Sequence, residues 1–301
     1  MKKWFKNKDG KVRSGWKLLL AFALMNLFTS LLSIPVVIIY AFTNIHVLDN
    51  IDRFMADPGV DFFMMLAQLL GVIVTLAVCL KKEKRNWRDL GLTPLSKQGK
   101  NLLFGLFLGM ISILLCAFFM VMTKQAVLVP AKITPSLIQG ILLSFIGFIF
   151  VAANEELFFR GYVISVLKQT RSTPLIYLGS CLLFSLAHTE NPHVHIMGII
   201  NICLIGLLFA YMFIQTKSLW MSMGYHFLWN FFQGNILGFD VSGTPGNGFF
   251  HIKEADNLLT GGSFGIEASV WTTLVIVMGF FITKLFLGKK NTINPAFDKH
   301  M

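Results

Sequence analysis

A few side chains able to do acid–base chemistry interrupt otherwise apolar runs. They are Glu155, Glu156 and Arg160 in "NEELFFRGYV", His188 closing "LLFSLAH", and His226 with Asn230 in "YHFLWN". A glutamate and a histidine can supply a base and a proton donor. A histidine and an asparagine four residues apart share a helix face, which suits two donors aimed at a developing oxyanion. Glu156 and Arg160 have the same spacing and should form a carboxylate–guanidinium pair. Glu155 lies about 100° round the helix from Glu156, which leaves it as the candidate base. Phe184 and His188 repeat the four-residue spacing.

The elements that must position these groups are membrane helices. The chain has 301 residues, 55% of them hydrophobic and 14% charged, against about 25% charged in a soluble domain. Several apolar runs reach the roughly 20 residues that span a bilayer, and the short alternating segments of a β-barrel are absent. The expectation is an all-α polytopic membrane protein of about eight transmembrane helices. They fall near 17–43, 61–80, 102–123, 136–168, 174–188, 196–215, 218–238 and 268–288, within one integral membrane domain spanning 1–301. Eight crossings put both termini on one side. The segments sharing that side then hold 21 of the 26 Lys and Arg residues, which by the positive-inside rule makes it cytoplasmic. The net charge of +11 is thus read as topology anchoring and contact with the lipid bilayer, not nucleic-acid binding. The loops 44–60 and 239–267 are read as external surface loops.

An ionisable residue at membrane depth is a functional-site candidate, provided such groups can meet. Glu155 lies sixteen residues before the turn centred on Arg171, and His188 seventeen after it. In an antiparallel hairpin both lie about 20 Å from that turn. His226 and Asn230, counted from Lys217, lie roughly 13–20 Å deep. Three helices therefore bring their rare polar groups to one layer. The layer is tied to the basic turns, so its cavity is expected to open towards them.

Each group also has a plainer reading. Glu156–Arg160 could stitch helices together, His188 could sit at an interface, and His226 or Asn230 could be interhelical hydrogen-bonding glue. His193 and His195 in "NPHVH" resemble a metal pair but fall in a connecting loop. Cys79, Cys116, Cys181 and Cys203 lie in apolar runs and behave as small hydrophobes.

In order, "EELFFR" reads as EExxxR, "FSLAH" as FxxxH and "HFLWN" as HxxxN. This set resembles the CPBP family (Abi or CAAX-protease-like) of intramembrane endopeptidases, with residues 136–238 as the catalytic core. The resemblance implies that Glu155 and His188 activate water, that His226 and Asn230 stabilise the oxyanion, and that Glu156, Arg160 and Phe184 support the site. It implies a membrane-associated, lipidated or hydrophobic peptide or protein as substrate, and a multi-pass cell-membrane location. No cofactor is expected. Zinc is the alternative, held by Glu155, His188 and His226, although no two of them have the HExxH spacing. The rival functions are a non-catalytic membrane regulator or bacteriocin-immunity protein on the same scaffold, and a transporter with a proton relay.

Overall fold

A computed structural model describes residues 2–7, 10–43 and 57–288. Most of the expected loop 44–60 and the tail beyond Gly288 lie outside these residues. Among the described residues, eight principal helices run through the molecule. They are α1 (Ser14–Thr43), α2 (Pro58–Glu83), α3 (Leu95–Met122), α4 (Pro135–Glu155), α5 (Thr173–Ala187), α6 (Ile196–Thr216), α7 (Trp220–Phe231) and α8 (Val270–Leu287). α4 continues through a π-helical segment, Glu156–Val163, into Ile164–Leu167, and α7 continues through a second, Phe232–Leu237.

Local chemistry marks the boundaries. Asp57, Thr134, Ser172 and Ser269 cap α2, α4, α5 and α8 by accepting hydrogen bonds from first-turn N–H groups, donors that would otherwise be orphaned. Pro58, Pro135 and Pro174 sit in the first turns, where a missing N–H costs nothing. Lys84 and Lys217 end α2 and α6 in the left-handed conformation.

Among the described residues, six helical segments are long and apolar enough to cross a membrane. Among the eight expected spans, α5 with 15 residues and α7 with 12 are the shorter ones. α5 stops where the His188 ring folds back, its Nδ1 lying 2.8 Å from the Phe184 carbonyl oxygen. α7 changes to π-helical bonding after Phe231.

Consecutive helices alternate in direction. At one end Ser14 Oγ donates to the Val166 carbonyl, Lys17 pairs with Glu83 at 3.0 Å, and Trp220 Nε1 donates to the Thr93 carbonyl. Phe104 stacks on Phe286 at 3.8 Å between the start of α3 and the end of α8. This is the end rich in lysine and arginine. The opposite end departs from a purely helical expectation. There β1 (Ala126–Pro130) pairs antiparallel with β2 (Phe250–Glu254), Ala126 facing Glu254.

α3 and α7 approach backbone to backbone. A Cβ on Gly105 or Gly109 would run into the carbonyl oxygen of Met221 or Tyr225, and one on Gly224 would lie 2.9 Å from the Leu102 oxygen. Small residues four apart allow this contact between membrane helices. It fixes α7, and with it His226 and Asn230, against α3.

Candidate active site

Glu155 closes the regular part of α4. Its Oε2 lies 3.8 Å from His188 Nε2 and 3.7 Å from His226 Nε2, and it is enclosed without a hydrogen-bond partner. Gaps of this length invite a bridging water. The carbonyl of Phe184 can only accept, so His188 Nδ1 carries a proton. In the neutral ring Nε2 then offers a lone pair towards Glu155. His226 faces carboxylates with both nitrogens, Nδ1 lying 3.4 Å from Glu156 Oε1. A doubly protonated His226 would have an acceptor for each N–H.

Behind this layer sits the brace. Arg160 Nη1 and Glu156 Oε1 pair at 3.0 Å, with both side chains fully buried. The guanidinium carbon lies 4.1 Å from the Phe184 ring centroid and 5.1 Å from that of Phe209, a cation–π arrangement. Phe209 also stacks on His226 at 5.4 Å, and Phe184 meets the His188 ring edge-on at 4.6 Å. Phe184 thus orients His188 through its carbonyl and covers Arg160 with its ring. The π-helical segment carrying Glu156 and Arg160 is buried from end to end. π-bulges are frequent at functional sites.

A cavity of about 1030 Å³ reaches Glu155, His188, His226 and Asn230. Asn230 is nine-tenths buried and stands one turn beyond His226. The other lining residues run towards Pro58, Asp61 and the segment Val241–Asn247, at the end carrying the small sheet. None comes from the basic turns near Lys81–Lys100 or Lys168–Thr173. The expectation of access from the basic end is therefore corrected. Position along a helix gives depth, whereas the opening depends on how α1, α2 and α4 splay and where the 239–269 connection lies.

Several lining residues escaped the sequence reading. Glu267, in the connection before α8, accepts at 2.7 Å from both the backbone N–H and the hydroxyl of Ser242. Burial pushes its carboxyl up, against the opposing pull of the Ser242 hydroxyl and of His188 and His226. Asn201 of α6 donates to the carbonyls of Glu267 and Ser269 and so pins that connection. The only sequence signal was a polar residue inside an apolar run at Asn201. Glu267 lay in a loop from which no chemistry was inferred.

Among the described residues, no group of three or more His, Cys, Asp or Glu side chains is arranged to hold a metal ion. Glu155 Oε2 and the Nε2 atoms of His188 and His226 converge, while the two Nδ1 atoms face the Phe184 carbonyl and Glu156, contacts that orient each ring. His195 Nε2 lies 3.1 Å from the Gly261 carbonyl.

Residues 136–232 match the family model described as type II CAAX prenyl endopeptidase, Rce1-like. Over this segment the chain is Rce1-like. The matched segment contains EExxxR, FxxxH and HxxxN in full, and it coincides with α4 to α7, which supply the converging polar side chains and the Glu156–Arg160 pair behind them. No curated protein and no solved structure matches the chain.

Proposed function

We propose that the chain is an intramembrane endopeptidase. The observation carrying this reading is the convergence of Glu155 Oε2 with His188 Nε2 at 3.8 Å and His226 Nε2 at 3.7 Å at the buried part of the cavity. Glu155 takes a proton from water, which attacks the peptide carbonyl carbon. His188 holds that water through Nε2 and relays the proton taken up by Glu155 to the leaving nitrogen as the C–N bond breaks, which returns both groups to their starting protonation. His226 and Asn230 donate to the oxyanion, the kind of stabilisation that acts most strongly where water is excluded. Glu156 and Arg160 balance charge behind His226. The substrate is a membrane-associated, lipidated or hydrophobic peptide or protein, in keeping with the prenyl endopeptidase match.

In this reading eight helices cross the cell membrane with both termini cytoplasmic. The cavity then opens towards the other side. Purified Glu155→Ala protein should lose a factor of about 10²–10⁴ in cleavage rate, the usual contribution of a positioned base. A substrate for that assay comes from comparing membrane proteomes and secreted peptides of wild-type and Glu155→Ala cells. Cleavage by Glu155→Ala protein at the wild-type rate would reject the assignment.

A further inference from the structure

The cavity that holds the catalytic layer is not an apolar slot. Three carboxylates line it, Asp61, Glu155 and Glu267, with no Lys or Arg among the described lining residues. Glu267 is set in place for a ligand. Ser242 binds its Oε2 through two donors, which fixes the side chain and leaves Oε1 outside both bonds. A second acceptor stands on the same lining. Asn235 is 2% exposed, its Nδ2 donates to the Asn247 carbonyl at 2.9 Å, and its Oδ1 has no partner. Val241, next to Ser242, packs over Gly234, next to Asn235. The two acceptors therefore belong to neighbouring stretches of one wall. A buried acceptor without a donor is destabilising, and a donor brought by a ligand relieves that cost.

We propose that this loop-side wall is a subsite for a positively charged group of the peptide, either a Lys or Arg side chain or a free α-amino group. Glu267 is its counter-ion and Asn235 Oδ1 a further acceptor. The inference rests on the endopeptidase reading and narrows its substrate class: a hydrophobic or lipidated segment that also carries a cation near the scissile bond. Glu267 lines the same cavity as His188 and His226, so the cation would be held beside the reacting carbonyl.

The test uses the full chain in lipid nanodiscs and three fluorescein-labelled peptides of one length and sequence. The first is N-acetylated and carries Lys. The second has norleucine in its place and a free amino terminus. The third is N-acetylated and carries norleucine. Binding is read by anisotropy and cleavage by chromatography. A charged peptide should bind about tenfold more tightly than the neutral one, as for one close charge pair, and which of the two does so identifies the source of the cation. Glu267→Gln keeps an acceptor for Ser242, so its melting temperature should be unchanged while the preference falls to about one. The proposal is overturned if neither charged peptide binds wild-type protein more tightly than the neutral peptide. It is also overturned if the preference persists in a folded Glu267→Gln protein. Charge-selective binding without cleavage supports the subsite and counts against the peptidase. Cleavage without charge preference does the reverse.

Discussion

Arg160→Met should destabilise the protein by about 3–5 kcal/mol, the usual result of leaving one member of a buried ion pair without its partner. The geometry supports a value in that range. Nη1 and Oε1 are 3.0 Å apart and both side chains are fully buried. Coulomb's law at that distance, with an effective dielectric near 20, gives an attraction of about 5–6 kcal/mol. The rings of Phe184 and Phe209 at 4.1 and 5.1 Å add up to about 2 kcal/mol for a desolvated cation. Desolvating two ions offsets much of this, so the pair as a whole is worth far less than its rupture costs. The double variant Glu156→Leu/Arg160→Met removes both charges and should recover most of the lost stability. Reversible unfolding in mixed micelles, followed by circular dichroism, yields the four corners of the cycle. The double variant should nevertheless cleave poorly, because His226 Nδ1 loses the carboxylate 3.4 Å away. If Arg160→Met is as stable as wild type, or the double variant is no more stable than the single, the pair is not a brace.

Two further outcomes follow from packing and charge. Gly109→Leu forces a side chain into the Tyr225 backbone and should cost about 1–3 kcal/mol or more, with lost cleavage because α7 carries His226; Gly99→Ala, in open space on the same helix, should be neutral or stabilising by thermal unfolding. Burial, with Asp240 and Asp256 nearby, pushes the Glu254 carboxyl up to about 7. A raised folded-state value means that the folded state favours the protonated acid, so its contribution is present below about pH 4.5 and lost as pH rises through about 7. Hydrogen exchange, corrected for intrinsic rates, should show the β1–β2 pair loosening over that window, and Glu254→Gln should flatten the response.

The helices and the meeting of their polar side chains were legible because two periods carry them. Apolar runs near 20 residues give helices, and a rise of 1.5 Å per residue gives depth, which placed Glu155 and His188 level on α4 and α5. Four-residue spacing gave the Glu156–Arg160 contact. The π-helical segments were not legible, since "ELFFRGYV" and "FQGNIL" have no composition that separates π from α bonding. Nor was the packing of Gly105 and Gly109 on α7, which depends on the facing helix. The direction of the cavity was misjudged because it is a property of gaps between helices. Glu267 and Asn201 act across 66 residues of chain, and nothing local in either stretch announces the other.

The change from α- to π-helical bonding falls between the two glutamates, Glu155 ending one segment and Glu156 opening the next. Along α4 the cavity is lined by Ser144, Phe148, Val151, Asn154 and Glu155; all but Asn154 form a stripe at spacings of four, three and four that a regular helix keeps on one face. Glu155 is the last member of that stripe in regular helix and takes its exposure from it. All eight residues of Glu156–Val163 are buried, so the neighbouring carboxylate enters the core, where Arg160 and Phe184 can enclose it. Two adjacent, chemically identical side chains thus meet different surroundings, one cavity-facing and without a hydrogen-bond partner, the other sealed and paired. His226 joins them, with one ring nitrogen towards each. The same imidazole thus stands between the cavity-facing carboxylate and the buried ion pair, so the pair that Arg160 holds in place also fixes the ring that faces Glu155.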